Sequence, residues 1–440
     1  MPWSIVGAAI VAERLPATLR AYRRLATVAM PFAPLVLRQR MRRGKENPER
    51  VGERRGETRM PRPTGPLVWV HGASVGEIMA VIPLVERIRG RGFNVLVTSG
   101  TTTSAELASR RLPGGVIHQF VPLDAPRFII RFLDYWRPGL ALIAESDLWP
   151  NMIMESAARG VPLILVNGRL SERSYTRWRK APATIAALLD RFDLCLAQSP
   201  HDAERYAELG APHVSMTGNL KLDAPAPPAD AARLADIRQA VDGRPVVVAA
   251  STHPGEEASV IEAHYRLRDR FRGLLTIVVP RHPERGAGIV NIADVAGLPA
   301  VMRSRGLLPG KRTEVYVADT IGELGLVYRL APIVFMGGSL VRHGGQNPIE
   351  AAKLGTAILH GPHVWNFADI YSALDAARGA EEVTDAVRLA ARISAWLGDA
   401  KLRGAVAEAA FKTVEVLGGA LDRTLAAIDP YLMQLRLEQR

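Results

Sequence analysis

From residue 66 onward, short apolar runs alternate with segments of helical or polar pattern. In the first half of this region the apolar runs are PLVWV, FNVLVTS, VIHQFV, LALIAE, PLILVN, LCLAQ and HVSMTG. Most of them precede a helix-like or polar segment, such as SAELASRRL or DAERYAELG. Continuous Val, Ile and Leu runs that alternate with helices are typical of a parallel sheet covered on both faces. The first half is therefore predicted to form an open α/β domain.

The alternation stops at residues 223–230 and then resumes. This segment reads DAPAPPAD, and its prolines exclude a helix or a central strand, so it is predicted to be an interdomain linker. The later runs PVVVAAS, LLTIVVP, EVYVAD, PIVFMGG and TAILHG predict a second α/β domain that ends in a helical tail. The predicted organisation is an N-terminal arm over 1–60, a first domain over 61–222, the linker, and a second domain over 231–440.

The composition supports this organisation. A chain of 440 residues suits two domains, and 48% hydrophobic with 23% charged residues excludes a disordered chain. Cys195 is the only cysteine, which excludes a disulfide framework. Its position within the run DLCLA predicts a thiol buried in a strand.

The positive charge of the chain is concentrated at its start. The net charge is +12, and residues 1–60 hold 13 basic against 5 acidic side chains. Their first apolar stretch ends at Ala12, which is too short for the roughly 20 residues that span a bilayer. Apolar blocks interleaved with arginines predict an arm that lies on an anionic membrane surface. The alternatives are a helix packed on the domain and nucleic-acid binding, which is disfavoured because interleaved stacking aromatics are lacking.

Ligands of open α/β sheets bind beyond the carboxyl ends of the strands, so polar residues directly after strands are candidates for the site. The first such segment is WVHGASVGE, which ends at Glu77. It has the layout of a nucleotide-binding turn, yet a carboxylate occupies the helix start where a phosphate would bind. The helix dipole should keep Glu77 ionised, as a general base must be. The open alternative is an ordinary acidic residue at a helix N-terminus.

Three further candidates follow strands of the first half. The segment ESDLWPN contains Glu145 and Asp147, which either face one site or point to opposite sides. Asp147 could instead cap the helix that Pro150 opens. Arg169 in NGRLSERS and Lys221 in TGNLKLD could hold anionic groups, with solvated surface charges as the alternative.

In the second half, basic residues follow two strands. The segment ASTHPGEE contains His253, and VVPRHPER contains Arg281 and His282. The histidines are far apart in sequence and lack a third ligand at helical spacing, which argues against a metal site. Arginine and histidine side chains donate to oxyanions without a cation, so a phosphate site is the better interpretation.

The most specific segment is FMGGSLVRHGGQNPIEAAKLG, residues 335–355. Its two Gly-Gly pairs bracket a loop, and Asn347 and Pro348 then begin a helix whose free N–H groups would suit a phosphate. Glu350 is placed to accept hydrogen bonds from sugar hydroxyls. Upstream, DTIGELG places Glu323 in another strand-to-helix turn. The alternative is a glycine-rich loop without a ligand.

Taken together, these segments resemble the 3-deoxy-D-manno-octulosonic acid (Kdo) transferases. The matching motifs, in order, are WVHGASVGE, AESDLWPN, TGNLKLD, STHPGEE, PRHPER, DTIGELGLVY, GGSLVRHGGQNPIEAA and GPHVWNF. The resemblance implies a GT-B type glycosyltransferase with two Rossmann-like domains facing each other across a cleft. It also implies CMP-Kdo as donor, the lipid A precursor as acceptor, and peripheral or monotopic attachment to the cytoplasmic face of the inner membrane. Nucleic acid is not an expected partner.

The resemblance also implies roles for individual residues. The general base of the family falls on Glu77, and transition-state support falls on Asp147 and Lys221, although the family often has Glu where this chain has Asp147. No metal or other cofactor is expected, because CMP departs as a monophosphate. Two other hypotheses are a nucleotide-sugar epimerase of the same architecture and a noncatalytic nucleotide-sugar sensor at the membrane. The implied contacts to CMP are Arg281, His282, Ile321, Gly322, Glu323, Asn347, Pro348, Ile349 and Glu350.

Overall fold

A computed structural model describes residues 15–438 of the chain. The residues form two compact units. The first runs up to Ala224 and includes the segment from Gly418 onward, and the second is Pro225–Leu417.

The first unit contains a seven-stranded, all-parallel sheet of order β3-β2-β1-β4-β5-β6-β7. All seven apolar runs predicted in this half are its strands, and the α/β prediction is confirmed. Cys195 is buried in β6, as predicted, and burial raises the pKa of its thiol to about 12. The strands are β1 (Leu67–His71), β2 (Asn94–Ser99), β3 (Ile117–Phe120), β4 (Leu140–Ala144), β5 (Leu163–Gly168), β6 (Leu194–Ala197) and β7 (Val214–Met216).

Helices cover both faces of this sheet. Apolar side chains on the two sides of the strands form two separate clusters, one centred on Trp69 and Phe132 and the other on Val70 and Val81. The helices are α1 (Ala17–Ala29), α2 (Ala33–Arg42), α3 (Val75–Gly90), α4 (Thr102–Arg111), α5 (Pro126–Trp136), α6 (Pro150–Ala158), α7 (Glu172–Trp178), α8 (Pro182–Leu189) and α9 (Pro200–Glu208), joined later in the chain by α18 (Ala420–Leu437).

The second unit repeats the plan with a parallel sheet of order β10-β11-β9-β8-β12-β13-β14. The strands are β8 (Val246–Thr252), β9 (Leu275–Pro280), β10 (Ala300–Met302), β11 (Val315–Val317), β12 (Ile333–Met336), β13 (Ala357–His360) and β14 (Ala380–Glu382). The helices are α10 (Ala231–Val241), α11 (Glu256–Leu267), α12 (Gly286–Val295), α13 (Leu324–Tyr328), α14 (Ile349–Lys353), α15 (Ala368–Ala376), α16 (Ala386–Gly398) and α17 (Ala400–Val416).

The strand order reverses at one point in each sheet. Strand β1 lies between β2 and β4, and β8 lies between β9 and β12, so each sheet grows in both directions from its first strand. Such a reversal separates the loops after two neighbouring strands and opens a crevice at their carboxyl ends. The loops that follow β1, β4, β8 and β12 are therefore the positions at which ligands of this fold bind.

The placement of the last helix corrects the predicted domain boundary. The sequence assigned 231–440 to the second domain, but α18 packs on the first. Ile428, Leu432 and Leu435 of α18 are buried in the same apolar cluster as strands β1, β2 and β4. The side chain of Asp223 accepts the backbone N–H groups of Gly419 and Leu421, each at 2.6 Å. The first residue of the predicted linker therefore fixes the start of α18.

The N-terminal helices α1 and α2 have two different faces. Leu19 and Leu37 are buried, the Tyr22 hydroxyl donates to Asp124 at 2.9 Å, and Arg23 pairs with Glu155 at 2.6 Å. The opposite face exposes the apolar side chains of Leu25, Val28, Phe32, Leu35 and Val36.

One face of the arm is thus packed on the first unit, as the packed-helix alternative proposed, and an apolar face remains exposed. Binding of this face to a membrane stays a prediction. The first apolar block of the arm, residues 5–12, lies outside the described residues. Within residues 15–438, no helix combines the length and hydrophobicity needed to cross a bilayer.

Candidate functional site

Glu77 lies in the first turn of α3, directly after β1. Its carboxylate folds back over the helix start, where it accepts the Ala73 N–H at 2.7 Å and the Ser74 hydroxyl at 2.9 Å. The Ser74 Oγ in turn accepts the Glu77 N–H at 3.3 Å. This reciprocal pattern is a variant of the capping box, and it holds the Glu77 side chain in one place.

The surroundings of Glu77 raise the pKa of its carboxyl group above the ordinary 4.5. Burial contributes most, the nearby charge of Glu145 comes next, and Asp147 adds to it, whereas the hydrogen bonds from Ala73 and Ser74 act in the opposite direction. The sequence predicted that the helix start would favour the charged form. That contribution is outweighed by burial and by the two neighbouring carboxylates, which disfavour a further negative charge.

Glu145 pairs with Lys221 at a distance of 2.5 Å between Oε1 and Nζ. Glu145 follows β4 with a left-handed backbone (φ 56°), and its main-chain oxygen accepts the Tyr206 hydroxyl at 3.0 Å. Lys221 lies in a single helical turn held by Asn167, whose Oδ1 accepts the Leu220 N–H at 2.8 Å. Both side chains of the pair are mostly buried, so their geometry is set by the surrounding fold.

Asp147 contacts a different partner. Its Oδ2 lies 2.7 Å from Nε2 of His71, which is fully buried at the end of β1. The His71 Nδ1 is 2.8 Å from the Thr98 Oγ1, and this oxygen also accepts the Trp69 indole N–H at 2.9 Å. A coherent assignment has Thr98 donating to Nδ1, which leaves a proton on Nε2 to donate to Asp147. The buried His71 ring thus orients the aspartate.

The first unit therefore brings three carboxylates together after β1 and β4: Glu77, Glu145 and Asp147. Of the two residues expected to support the transition state, Lys221 pairs with Glu145, whereas Asp147 contacts His71. His71 was missed as a site residue. Its signal was a histidine at the end of the apolar strand LVWVH, directly before the glycine turn. We call Glu77, Glu145 and Asp147 the acidic cluster.

In the second unit, a buried carboxylate fixes the loop after β12. Glu256, with no exposed surface, accepts the N–H groups of Gly338, Ser339 and Leu340 at 2.7–3.0 Å and that of His253 at 2.9 Å. Gly337 passes so close to β8 that a Cβ would lie 2.5 Å from the Ser251 oxygen. We call residues 337–347 the glycine loop.

The residues after β8 and β9 are similarly fixed. Glu257, next to Glu256, binds Arg285 through both carboxylate oxygens, at 2.5 and 3.0 Å. The His253 ring stacks on His343 at 3.7 Å, and its Nε2 accepts the Gln346 amide at 3.0 Å. Burial and the charge of His343 lower the pKa of His253 to about 4, so this ring is neutral near pH 7. Neither buried glutamate was singled out from the sequence.

The residues predicted to contact CMP differ in their exposure to solvent. Arg281, His282 and Ile321 are exposed, and Ile321 has 79% of its surface accessible. Pro348 and Ile349 are buried, so they pack the loop in place. Glu350 is half-buried, and Gly322 has a left-handed backbone at φ 84°.

Asn347 and Glu323 already use their side chains within the protein. The Asn347 Oδ1 accepts the Ile349 N–H at 3.0 Å. Glu323 binds Arg303, Arg233 and Thr320, and the hydrogen bonds from Arg303 contribute most to lowering the pKa of Glu323 to about 2. The helix that Asn347 precedes, α14, is only five residues long, so its dipole is small. Within residues 15–438, no three His, Cys, Asp or Glu side chains are grouped as a metal site requires.

Comparison with known proteins places this geometry in a family. A family model described as 3-deoxy-D-manno-octulosonic-acid transferase (kdotransferase) matches residues 48–224. A 3-deoxy-D-manno-octulosonic acid transferase from Haemophilus influenzae is 34% identical over 393 residues, which cover 87% of this chain and 92% of the relative.

Solved structures agree at the level of the fold. A glycosyltransferase from Rickettsia africae (TM-score 0.58, 12% identity) covers 84% of this chain and 99% of its own. A UDP-N-acetylglucosamine 2-epimerase, described as putative, from Listeria monocytogenes (TM-score 0.59, 14% identity) covers 84% and 98%. At such identities the likeness concerns the fold alone, and it confirms the predicted GT-B type with two Rossmann-like domains. The sequence relationship identifies the activity: this chain belongs to the 3-deoxy-D-manno-octulosonic acid (Kdo) transferase family of glycosyltransferases.

Proposed function

We propose that the protein transfers Kdo from CMP-Kdo to the lipid A precursor with inversion at the anomeric carbon, and that Glu77 is the general base. The observation that carries the proposal is the fixed position of the Glu77 carboxylate together with its raised pKa. Its carboxylate is fixed by Ala73 and Ser74, and its pKa is raised by burial and by the charge of Glu145. A carboxylate whose pKa lies closer to the working pH is a better proton acceptor.

In the proposed reaction, an acceptor hydroxyl oxygen bonds to the anomeric carbon of Kdo while the bond from that carbon to the phosphate oxygen breaks. The hydroxyl proton passes to Glu77, and the electron pair of the broken bond leaves with CMP. Lys221 has three N–H donors and, within residues 15–438, uses one on Glu145, so the others can stabilise negative charge on the sugar. Asp147, oriented by His71, accepts a hydrogen bond from an acceptor hydroxyl.

We assign the binding of the nucleotide to the second unit. Arg281 and His282 donate to the phosphate of CMP, and the glycine loop, held by Glu256, approaches the nucleotide through its backbone. Asn347, Pro348 and Ile349 keep that loop in shape, and Glu350 accepts hydrogen bonds from the ribose. The turn at Ile321 and Gly322 contributes backbone contacts, because the Glu323 carboxylate is occupied by Arg303. The proposal needs no metal, since no pyrophosphate has to be bridged.

The exposed apolar face of α1 and α2 supports a peripheral or monotopic position on the cytoplasmic face of the inner membrane. The anionic lipid surface would attract the arginines of the arm, and the apolar side chains would enter the headgroup region. An acceptor that is itself a membrane glycolipid makes such a position useful.

The proposal is tested by incubating the protein with CMP-Kdo and lipid A precursor in the presence of a chelator and weighing the product by mass spectrometry. We expect the product to be heavier than the acceptor by the mass of a whole number of Kdo residues. Glu77→Gln should lower kcat by about 10²–10⁴-fold, the usual contribution of a general base. Glu86→Gln, an exposed carboxylate on the same helix, is the matched control and should keep wild-type activity. Normal turnover by Glu77→Gln would remove Glu77 from the mechanism, and a need for metal would refute the metal-free reaction.

A further inference from the structure

A pocket beside the acidic cluster takes no part in the proposed transfer of Kdo. It has a volume of about 200 Å³ and lies between the loop after β4 and helix α7. Its wall includes Asp147, Trp149, Ser174, Arg177 and Trp178. Strands β4 and β5 are neighbours, so both walls follow the carboxyl ends of strands at the edge of the sheet that holds Glu77. Pockets that enclose whole drug-sized ligands measure about 300–1,000 Å³, so this one suits a single ring.

The side chains of the pocket have unused binding capacity. Among residues 15–438, the Arg177 guanidinium forms no hydrogen bond or ion pair, whereas Arg159 and Arg205 are paired. Asp147 uses its Oδ2 on His71, and its Oδ1 has no hydrogen-bond partner in the same part of the chain. Trp149 has 45% of its surface exposed, which is unusual for so large an apolar side chain.

The combination of these groups selects one ligand chemistry. Flat indole rings offer apolar surface to the C–H face of a sugar ring, and their N–H groups can donate to its oxygens. A carboxylate accepts hydrogen bonds from hydroxyl or amino groups but repels a bare anion. A guanidinium binds phosphate through two parallel hydrogen bonds. A neutral sugar would leave Arg177 unused, and a free phosphate would face Asp147.

From this we infer that the pocket binds a phosphate-bearing sugar ring of the glycolipid acceptor, with the phosphate on Arg177 and the ring against Trp149 and Trp178. The inference rests on the proposed function and adds to it the part of the acceptor that is recognised. Asp147 belongs both to the pocket and to the acidic cluster, so a ring bound here would lie next to the carboxylate that is assigned to the acceptor hydroxyl.

The first test compares acceptors with and without phosphate. Arg177→Ala should raise the KM for the phosphorylated acceptor about tenfold or more, the usual effect of losing a charge-assisted hydrogen bond. It should leave the KM for CMP-Kdo unchanged and should not alter the KM for an enzymatically dephosphorylated acceptor. Arg173→Ala, on the same helix but outside the pocket wall, is the matched control and should change none of these values. Equal losses on both acceptors, or an equal effect of Arg173→Ala, would overturn the inference.

The second test measures binding without turnover. Calorimetry with glucosamine phosphate that lacks acyl chains should show binding to the wild type and its loss in Arg177→Ala and Trp178→Ala. Inorganic phosphate and unphosphorylated glucosamine should bind more weakly by at least about tenfold. If Arg177→Ala instead weakened binding to phosphatidylglycerol vesicles while glucosamine phosphate bound as before, Arg177 would be a membrane-facing cation and the pocket assignment would be wrong. Binding of the headgroup by a protein that transfers no Kdo would refute the proposed function and leave the pocket intact.

Discussion

Glu77 is subject to opposing electrostatic effects that can be ranked. A carboxylate at a helix start gains about 0.3–1 kcal/mol from the helix dipole. Burial and the charges of Glu145 and Asp147 act against ionisation, and the raised pKa means that they prevail. The charged form of Glu77 therefore lowers the stability of the fold, and the proposed chemistry uses this charge.

This ranking predicts how the stability of Glu77→Gln depends on pH. In the folded protein the pKa of Glu77 is raised. The contribution of this carboxyl group to the free energy of unfolding is therefore fully present only below about pH 4.5, the ordinary pKa of glutamate, and it is lost as pH rises through the folded-state pKa. A neutral glutamine does not lose stability in this way. The Ser74 hydroxyl can also rotate so that its oxygen accepts a hydrogen bond from the glutamine amide N–H. At pH 7.5 the variant should unfold at a temperature equal to or higher than the wild type, and this advantage should vanish at pH 4.

The measurement is thermal unfolding at the two pH values, with Glu86→Gln as the control that should show no pH-dependent difference. A glutamine variant that is less stable than the wild type at pH 7.5 but not at pH 4 would mean that the surroundings stabilise the charged carboxylate, and the proposed effect of burial and of Glu145 would be wrong.

At the scale of residues, the sequence predicted which side chains lie at the site better than it predicted which side chains they contact. Glu77 could be found because a strand, a glycine turn and a helix start are local patterns. The pairing of Lys221 with Glu145, and of Asp147 with His71, depends on the left-handed backbone at Glu145 and on the register of β1 against β4. Neither is encoded in a local pattern, so the sequence left the roles of the two acids open.

Among the structural elements, the start of α11 holds two separate loops in position. Its adjacent residues Glu256 and Glu257 are fully buried, and each holds a different segment, the glycine loop and Arg285. A single helix turn thus fixes the loops after two strands at the edge where the nucleotide is proposed to bind.

Glu256→Gln should therefore impair donor binding. The amide would present N–H groups to backbone N–H donors, and each buried donor left unsatisfied costs about 1–3 kcal/mol. We expect the KM for CMP-Kdo to rise at least about tenfold while the KM for the acceptor stays near the wild-type value. The measurement is steady-state kinetics with each substrate varied in turn. Glu262→Gln, an exposed residue of α11, serves as the control, and a parallel loss of acceptor affinity would contradict a specific role in the glycine loop.

The elements themselves were predicted where they are long and apolar. Strands β10 and β14 were missed. Each is a three-residue strand at a sheet edge, and β14 (AEE) contains a single apolar residue. Helix α18 was recognised as helical, but its assignment to the first unit depends on which apolar surface it covers. That surface is created by β1, β2 and β4, more than 270 residues earlier in the chain.

For the whole molecule, the arm is proposed to hold the protein at the membrane surface. Removing it entirely would delete Leu19 and Leu37 from the packed face, so loss of function could reflect unfolding. Point substitutions on the exposed face separate the two effects. Phe32→Glu and Leu35→Glu, at residues 61% and 63% exposed, should lower binding to anionic vesicles at least about fivefold without lowering the unfolding temperature.

Vesicle flotation provides the measurement, and Val295→Glu, at a residue 83% exposed in the second unit, provides the control. Binding should also weaken as salt is added, because the arginines of the arm interact with lipid charge through solvent. Unchanged flotation of both arm variants would show that this face does not bind the membrane.

The capping of α18 by Asp223 has a consequence for how the protein is made. On the ribosome, the first unit emerges early, but the helix that covers part of its core follows only after Pro225–Leu417 has been synthesised. At roughly 5–20 residues per second, this leaves the apolar surface around β1, β2 and β4 uncovered for about 10–40 s. During that interval the nascent chain exposes a surface that a chaperone could recognise, and the second unit has time to fold before the first is complete.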